Sequence, residues 1–74
     1  MKAIGTLLTR FGFDLSTQTM VVRIYKIRKY ENGEVIERFY WTVDNSRLET
    51  VKDGSESTLK GATKAAIDWL ELMI

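Results

Sequence analysis

Histidine and cysteine, which often serve as near-neutral bases, nucleophiles and metal ligands, are both absent from this sequence. Their absence excludes Ser–His and Cys–His catalysis and removes imidazole and thiolate metal sites. The remaining route to acid–base chemistry is a pair of carboxylates, one of them held where burial raises its pKa. The carboxylates considered for this role are Asp14, Asp44, Asp53, Asp68, Glu31, Glu34 and Glu37.

These carboxylates fall in segments that we expect to be solvated. The four aspartates are predicted in turns or on a helix surface, and the three glutamates flank a predicted hairpin turn. The glycines form no GxGxxG or phosphate-binding loop. The Asp44-Asn45-Ser46 stretch lacks the glycine and closing glutamate of a calcium loop. We therefore expect no catalytic residue, no cofactor and no metal, and the sequence predicts a protein that is not an enzyme.

Composition indicates a small globular domain spanning residues 1–74. Of the 74 residues, 45% are hydrophobic and 28% are charged, and the net charge of +1 indicates no particular partner. A chain of this length buries a small core, so self-association is one way to stabilise it. The N-terminal segment, broken by Gly5, Thr6 and Arg10, is too polar for a signal peptide and too short to cross a membrane. Because cysteine is absent as well, we expect a cytoplasmic protein that does not bind membranes.

A β-hairpin is the strongest local prediction. The runs from Thr19 to Tyr30 and from Glu34 to Asp44 are rich in β-branched and aromatic residues, and Asn32-Gly33 between them suits a type I′ turn. Counting outward from this turn predicts which residues lie opposite one another. One face carries the apolar pairs Val22–Val43 and Ile24–Trp41. The other face carries the pairs Arg23–Thr42, Tyr25–Tyr40, Ile27–Arg38 and Lys29–Ile36.

The segments on either side of the hairpin complete the predicted fold. Ile4, Leu7, Leu8 and Phe11 have the spacing of one helix face, which predicts a helix over residues 2–11. A third strand is expected over residues 47–52, with Leu48 beside Val43 and Val51 beside Tyr40, and Asp53-Gly54-Ser55 should end it. A last helix over residues 58–73 follows, capped by Ser57. The predicted class is α+β, with the order α-β-β-β-α and a three-stranded antiparallel meander that carries both helices on one face.

The sheet face without helices is the predicted binding surface. Its residues are an apolar stripe of Tyr25, Tyr40 and Val51 bordered by Arg23, Ile27, Lys29, Ile36 and Arg38. Tyrosine and arginine often carry binding energy at protein interfaces, so a protein partner or a homodimer is the leading hypothesis. Nucleic acid is the alternative, because bases stack on tyrosines while basic side chains hold phosphates. A third interpretation is that the tyrosine pair only stabilises the sheet.

The function predicted from these features is that of a small binding or regulatory protein. It would act through contact with another protein or with itself. Accessory and inhibitor proteins of phages and mobile elements share these features: they are small, they lack catalytic motifs and they act by binding alone.

Overall fold

A computed structural model describes residues 4–15 and 17–73. It contains four strands and one helix: β1 (Ile4–Asp14), β2 (Thr19–Glu31), β3 (Glu34–Asp44), β4 (Thr50–Glu56) and α1 (Leu59–Leu72). The strands form one antiparallel sheet in the order β1-β2-β3-β4. The α+β class and the meander are therefore confirmed. The predicted order α-β-β-β-α and the three-stranded sheet with two helices are wrong, because the first element is a strand.

The misassigned first element contains a β-bulge. The register of β1 against β2 shifts between Leu7 and Thr9, so that Leu8 and Thr9 together lie opposite Ile24. The bulge interrupts the strict alternation of side chains and gives the apolar residues a three-residue step, which also occurs on a helix face. Backbone hydrogen bonds to β2 satisfy the N–H and C=O groups of this segment as a strand, and this pairing decides its structure despite the helix-like spacing of its apolar residues.

The β2–β3 hairpin has the predicted register. Ile24 lies opposite Trp41, Val22 opposite Val43 and Tyr25 opposite Tyr40. Asn32 and Gly33 both have positive φ, 51° and 79°, as a type I′ turn requires. The hairpin prediction is thus confirmed in both its turn and its pairing.

The strand after the hairpin begins later than predicted. Ser55 lies opposite Tyr40 and Lys52 opposite Val43, so the predicted positions of Val51 and Leu48 beside those residues are wrong. The delay comes from the loop at Asn45. Its side-chain Oδ1 accepts hydrogen bonds from the backbone N–H groups of Arg47 at 2.9 Å and Glu49 at 3.0 Å, which holds the chain in a turn until Thr50.

Gly54 lies within β4 although its neighbourhood was predicted to end a strand. The Trp41 indole lies across Gly54, where a Cβ atom would be only 2.6 Å from the ring Nε1. Glycine therefore provides the flat surface on which the indole packs. The predicted strand break at Asp53-Gly54-Ser55 is wrong. Glycine occurs at position 54 because the Trp41 ring needs the space, not because the chain turns there.

Helix α1 is confirmed, with its cap one residue later than predicted. The hydroxyl of Thr58, not that of Ser57, accepts a hydrogen bond from the Gly61 N–H at 3.0 Å. The helix packs on β2, β3 and β4. It contributes its buried residues to one core, which consists of Met20, Val22, Ile24, Trp41, Val43, Ala62, Ala66 and Leu70.

The sheet extends well beyond the helix, and the described residues span 47 × 21 × 16 Å. We call the face under α1 the helix face and the opposite face the outer face. The covered half of the sheet is the part around the core. The hairpin half comprises residues 5–8, 25–31 and 34–38, next to the Asn32-Gly33 turn. Its helix-face side chains Tyr30 and Val35 are 64% and 50% exposed, which shows that α1 does not reach them.

Candidate functional site

The outer face brings together most of the predicted binding residues. Strand alternation and the β2–β3 register place seven of the eight on this face. They are Arg23, Tyr25, Ile27, Lys29, Ile36, Arg38 and Tyr40. Val51, the eighth, lies at a register shift of β4, between the residues that pair with Val43 and Asp44. The predicted stripe through Tyr25, Tyr40 and Val51 is therefore not formed.

Polar side chains at the covered end of the outer face are held by other residues of the chain. Arg23 Nη1 contacts Asp44 Oδ2 at 2.9 Å, and the Thr50 hydroxyl donates to Asp44 Oδ1 at 2.8 Å. The Tyr40 hydroxyl donates to Asp53 Oδ2 at 2.6 Å, and this hydrogen bond, together with burial, raises the pKa of Tyr40 above its usual range. These predicted binding residues thus have structural partners within the chain.

Arg38 is also engaged within the sheet. Its Nε donates to the Ser55 hydroxyl at 3.0 Å, and its Nη2 donates to the Ser55 carbonyl at 3.2 Å. The guanidinium therefore reaches sideways across β4. Its charge still borders the outer face, but its hydrogen-bonding groups are partly used.

Four apolar side chains lie close together on the outer face of the hairpin half. Leu7 lies opposite Tyr25 on β1, and Ile27 and Ile36 continue the surface along β2 and β3. Leu7 is 50% exposed, and the other three are partly buried. Sequence reasoning missed Leu7 because it was assigned to a helix. We call Leu7, Tyr25, Ile27 and Ile36 the apolar patch.

The helix face of the hairpin half carries a shallow groove. It has a volume of about 320 Å³ and is lined by Thr6, Leu8, Lys26 and Arg28. Glu37 binds both cations, with its Oε2 2.6 Å from Arg28 Nη2 and 3.2 Å from Lys26 Nζ. Hydrogen bonds from Arg28 and then Lys26 lower the pKa of Glu37. The groove is therefore a mixed surface in which one positive charge is already compensated.

The charges of the outer face are balanced. Among the residues that the structure describes, the register assigns it four basic residues, Arg10, Arg23, Lys29 and Arg38, and five acidic residues, Asp14, Glu31, Glu34, Asp44 and Asp53. Binding to a phosphate backbone depends on basic side chains that lack anionic neighbours. Within the described residues, the outer face therefore has no excess of basic over acidic side chains.

The carboxylates considered for catalysis do not converge. Asp44 is not the solvated turn residue we predicted: it ends β3, is 2% exposed and binds Arg23 and Thr50. Asp53 lies within β4 and Asp14 ends β1, where it accepts a hydrogen bond from Thr19. Asp68 contacts Lys64 at 2.6 Å on the exposed surface of α1. Within residues 4–15 and 17–73, no three acidic side chains are grouped closely enough to hold a metal ion.

Comparison of the chain with family models, with curated proteins and with solved structures found no match. No helix in the described part of the chain has the length and apolar character needed to cross a membrane.

Proposed function

We propose that this chain is a non-enzymatic binding protein whose hairpin half docks on another protein. The observation that carries the proposal is that this half of the sheet has apolar side chains on both faces and no covering layer among the described residues. A sheet is ordinarily stabilised by packing at least one apolar face against another element. The hairpin half instead presents Leu7 on one face and Leu8, Tyr30 and Val35 on the other, all of them at least 41% exposed.

Charge supports a protein as the partner. The hairpin half contains Lys26, Arg28, Lys29 and Arg38, but these side chains contact Glu37, Glu31 and Ser55. Apolar centres bordered by partly compensated charges are typical of protein interfaces, in which the rim is polar and the centre excludes water. A partner with an apolar surface and a few acidic groups at its edge fits this arrangement.

The test compares two variants that carry the same kind of change in composition. Leu7→Lys with Ile36→Lys disrupts the apolar patch, whereas Leu48→Lys with Leu72→Lys changes two exposed leucines outside the hairpin half. Each protein is used to capture partners from the source cell, and a captured protein is then purified and titrated. We expect the Leu7/Ile36 variant to lose at least about tenfold in affinity, because two apolar contacts are replaced by charges. The Leu48/Leu72 variant should bind like the wild type.

Circular dichroism of both variants shows whether the fold is retained. Equal loss of binding in both variants, or full binding by a folded Leu7/Ile36 variant, would contradict the proposal. Oligonucleotides titrated at two salt concentrations supply the other arm. Binding that weakens steeply with salt would replace a protein partner by nucleic acid.

A further inference from the structure

We infer that two copies of this chain pair through the β1 edge, in antiparallel register about a twofold axis at Gly12. β1 is an edge of the sheet, so along its outer side its backbone has no neighbouring strand among the described residues. Such an edge readily adds another strand. The occupant we propose is β1 of a second copy, and the evidence is the pattern of charges and aromatic residues along the segment from Arg10 to Asp14.

Arg10 is the first part of this evidence. It lies directly opposite Arg23 in the β1–β2 pair, and like charges at such positions destabilise a sheet. Arg23 is bound to Asp44, whereas no ion pair or side-chain hydrogen bond involves Arg10 within the described residues. The β1 edge thus carries an exposed cation that the single chain places beside another cation.

The twofold register supplies the missing anion. In antiparallel pairing centred on Gly12, Arg10 of each copy lies opposite Asp14 of the other, on the same outer face. Residues 10, 12 and 14 share this face because they pair with Arg23, Val21 and Thr19 of β2. The twofold axis forms the ion pair twice. Shifting the register by two residues places Arg10 opposite Gly12, and shifting it by four in the same direction places Arg10 opposite a second Arg10, so charge complementarity selects this register.

Two aromatic residues on the helix face support the same register, centred on Gly12. Centring on Gly12 places Phe11 of one copy opposite Phe13 of the other, again twice. Both are partly buried at the margin of the core, while α1 packs on β2, β3 and β4. Cross-strand aromatic pairs stabilise sheets, and the second copy would cover rings that α1 leaves partly exposed.

The opposite edge lacks these features. β4 is shorter, with seven residues, and it contains a register shift beside Val43 together with the charged pair Lys52-Asp53. Bulges and charges of this kind are common protections of edge strands. On β1 the bulge at Leu8 lies outside the segment 10–14, so it ends the proposed pairing without interrupting it.

The dimer keeps the hairpin halves free. Because the two β1 strands run in opposite directions from Gly12, the hairpin halves extend toward opposite ends of an eight-stranded sheet, with both helices on one face. If the hairpin half binds a partner as proposed above, the dimer is bivalent. This consequence depends on the proposed function, whereas the dimer itself does not.

Charge reversal tests the pairing by sedimentation equilibrium over a wide range of protein concentration. We expect a dimer for the wild type, and at least about a tenfold weaker dimer for Arg10→Glu and for Asp14→Lys, since the axis doubles each unfavourable contact. The double variant Arg10→Glu with Asp14→Lys should regain the dimer, because it exchanges the two charges. Arg47→Glu, an equal charge change in the exposed loop, is the control and should dimerise like the wild type.

Stability of the single chain separates loss of pairing from loss of fold. In Arg10→Glu the new carboxylate would lie opposite Arg23, so this variant should unfold at the same or a higher denaturant concentration when it is monomeric. A monomeric wild type at all concentrations, single reversals that leave the dimer intact, or a double variant as weak as the single ones would each overturn the inference. Ile36→Lys should leave the dimer unchanged, so failure of the proposed function is distinguishable from failure of the dimer.

Discussion

The covered half and the hairpin half of the sheet are built from the same strands, yet they differ in what packs against them. On the helix face of β3, Val43 is completely buried and Val35 is half exposed. The carboxylates of the ion pairs follow the same division, because Asp44, which binds a partly exposed Arg23, is buried, whereas Glu37 meets Lys26 and Arg28 at the surface. Side chains of one type therefore have different roles in the two halves.

The difference indicates where stability resides and where the proposed binding would take place. Burial of apolar area is the main source of stability in a domain of this size, and it is concentrated in the covered half. The hairpin half is stabilised by its turn, its backbone hydrogen bonds and its cross-strand pairs, which contribute less free energy of folding per residue than apolar burial does. Its exposed side chains contribute little to the fold, which is consistent with the docking role proposed for them.

Substitution of one glycine in each half should give the largest difference in stability between the covered half and the hairpin half. We expect Gly54→Ala to destabilise the protein by about 2 to 3 kcal/mol, because the new Cβ would overlap the Trp41 indole and force the ring to move. Gly5→Ala in the hairpin half should change stability by less than about 0.5 kcal/mol, since a Cβ added there would meet no atom within 4 Å. Urea unfolding of both variants measures the difference. Equal effects would show that the Trp41 ring does not depend on Gly54.

A pair of valines on one strand gives the next largest contrast. Val43→Ala should cost about 2 kcal/mol, because it removes two buried carbon atoms and leaves a cavity. Val35→Ala should cost less than about 0.5 kcal/mol, since Val35 is half exposed on the same strand and the same face. Thermal or urea unfolding distinguishes the two. A Val35→Ala variant as unstable as Val43→Ala would mean that another part of the protein covers the hairpin half.

The hairpin and the last helix could be predicted from the sequence because their signals are local. Asn32-Gly33 determines the turn, and counting outward from a two-residue loop leaves one register. The apolar spacing of Ala62, Ala66 and Leu70 predicts a helix without reference to the rest of the chain. Seven of the candidate site residues consequently lie on the predicted face.

The first and last strands could not be predicted because tertiary contacts decide them. The β1 bulge gives Leu7, Leu8 and Phe11 a spacing that a helix shares, and only pairing with β2 favours the strand. In β4, Gly54 has the composition of a turn, but the Trp41 ring requires it inside a strand. The error in β1 also explains why Leu7 was missed, whereas Val51 was included in the binding surface because the Asn45 turn, which delays β4 until Thr50, was not predicted.

The smallest predicted effect concerns Tyr40, which lies where the covered half meets the hairpin half. Its hydrogen bond to Asp53 raises the pKa of the phenol above 10.0. Because the folded-state pKa exceeds the unfolded value, this contribution to stability is complete below pH 10 and is lost as the pH rises through the folded pKa. Asp53→Asn removes the carboxylate charge and should flatten this loss in urea unfolding measured on either side of about pH 10. An unchanged pH dependence would mean that the Tyr40–Asp53 contact contributes nothing to the border between the two halves.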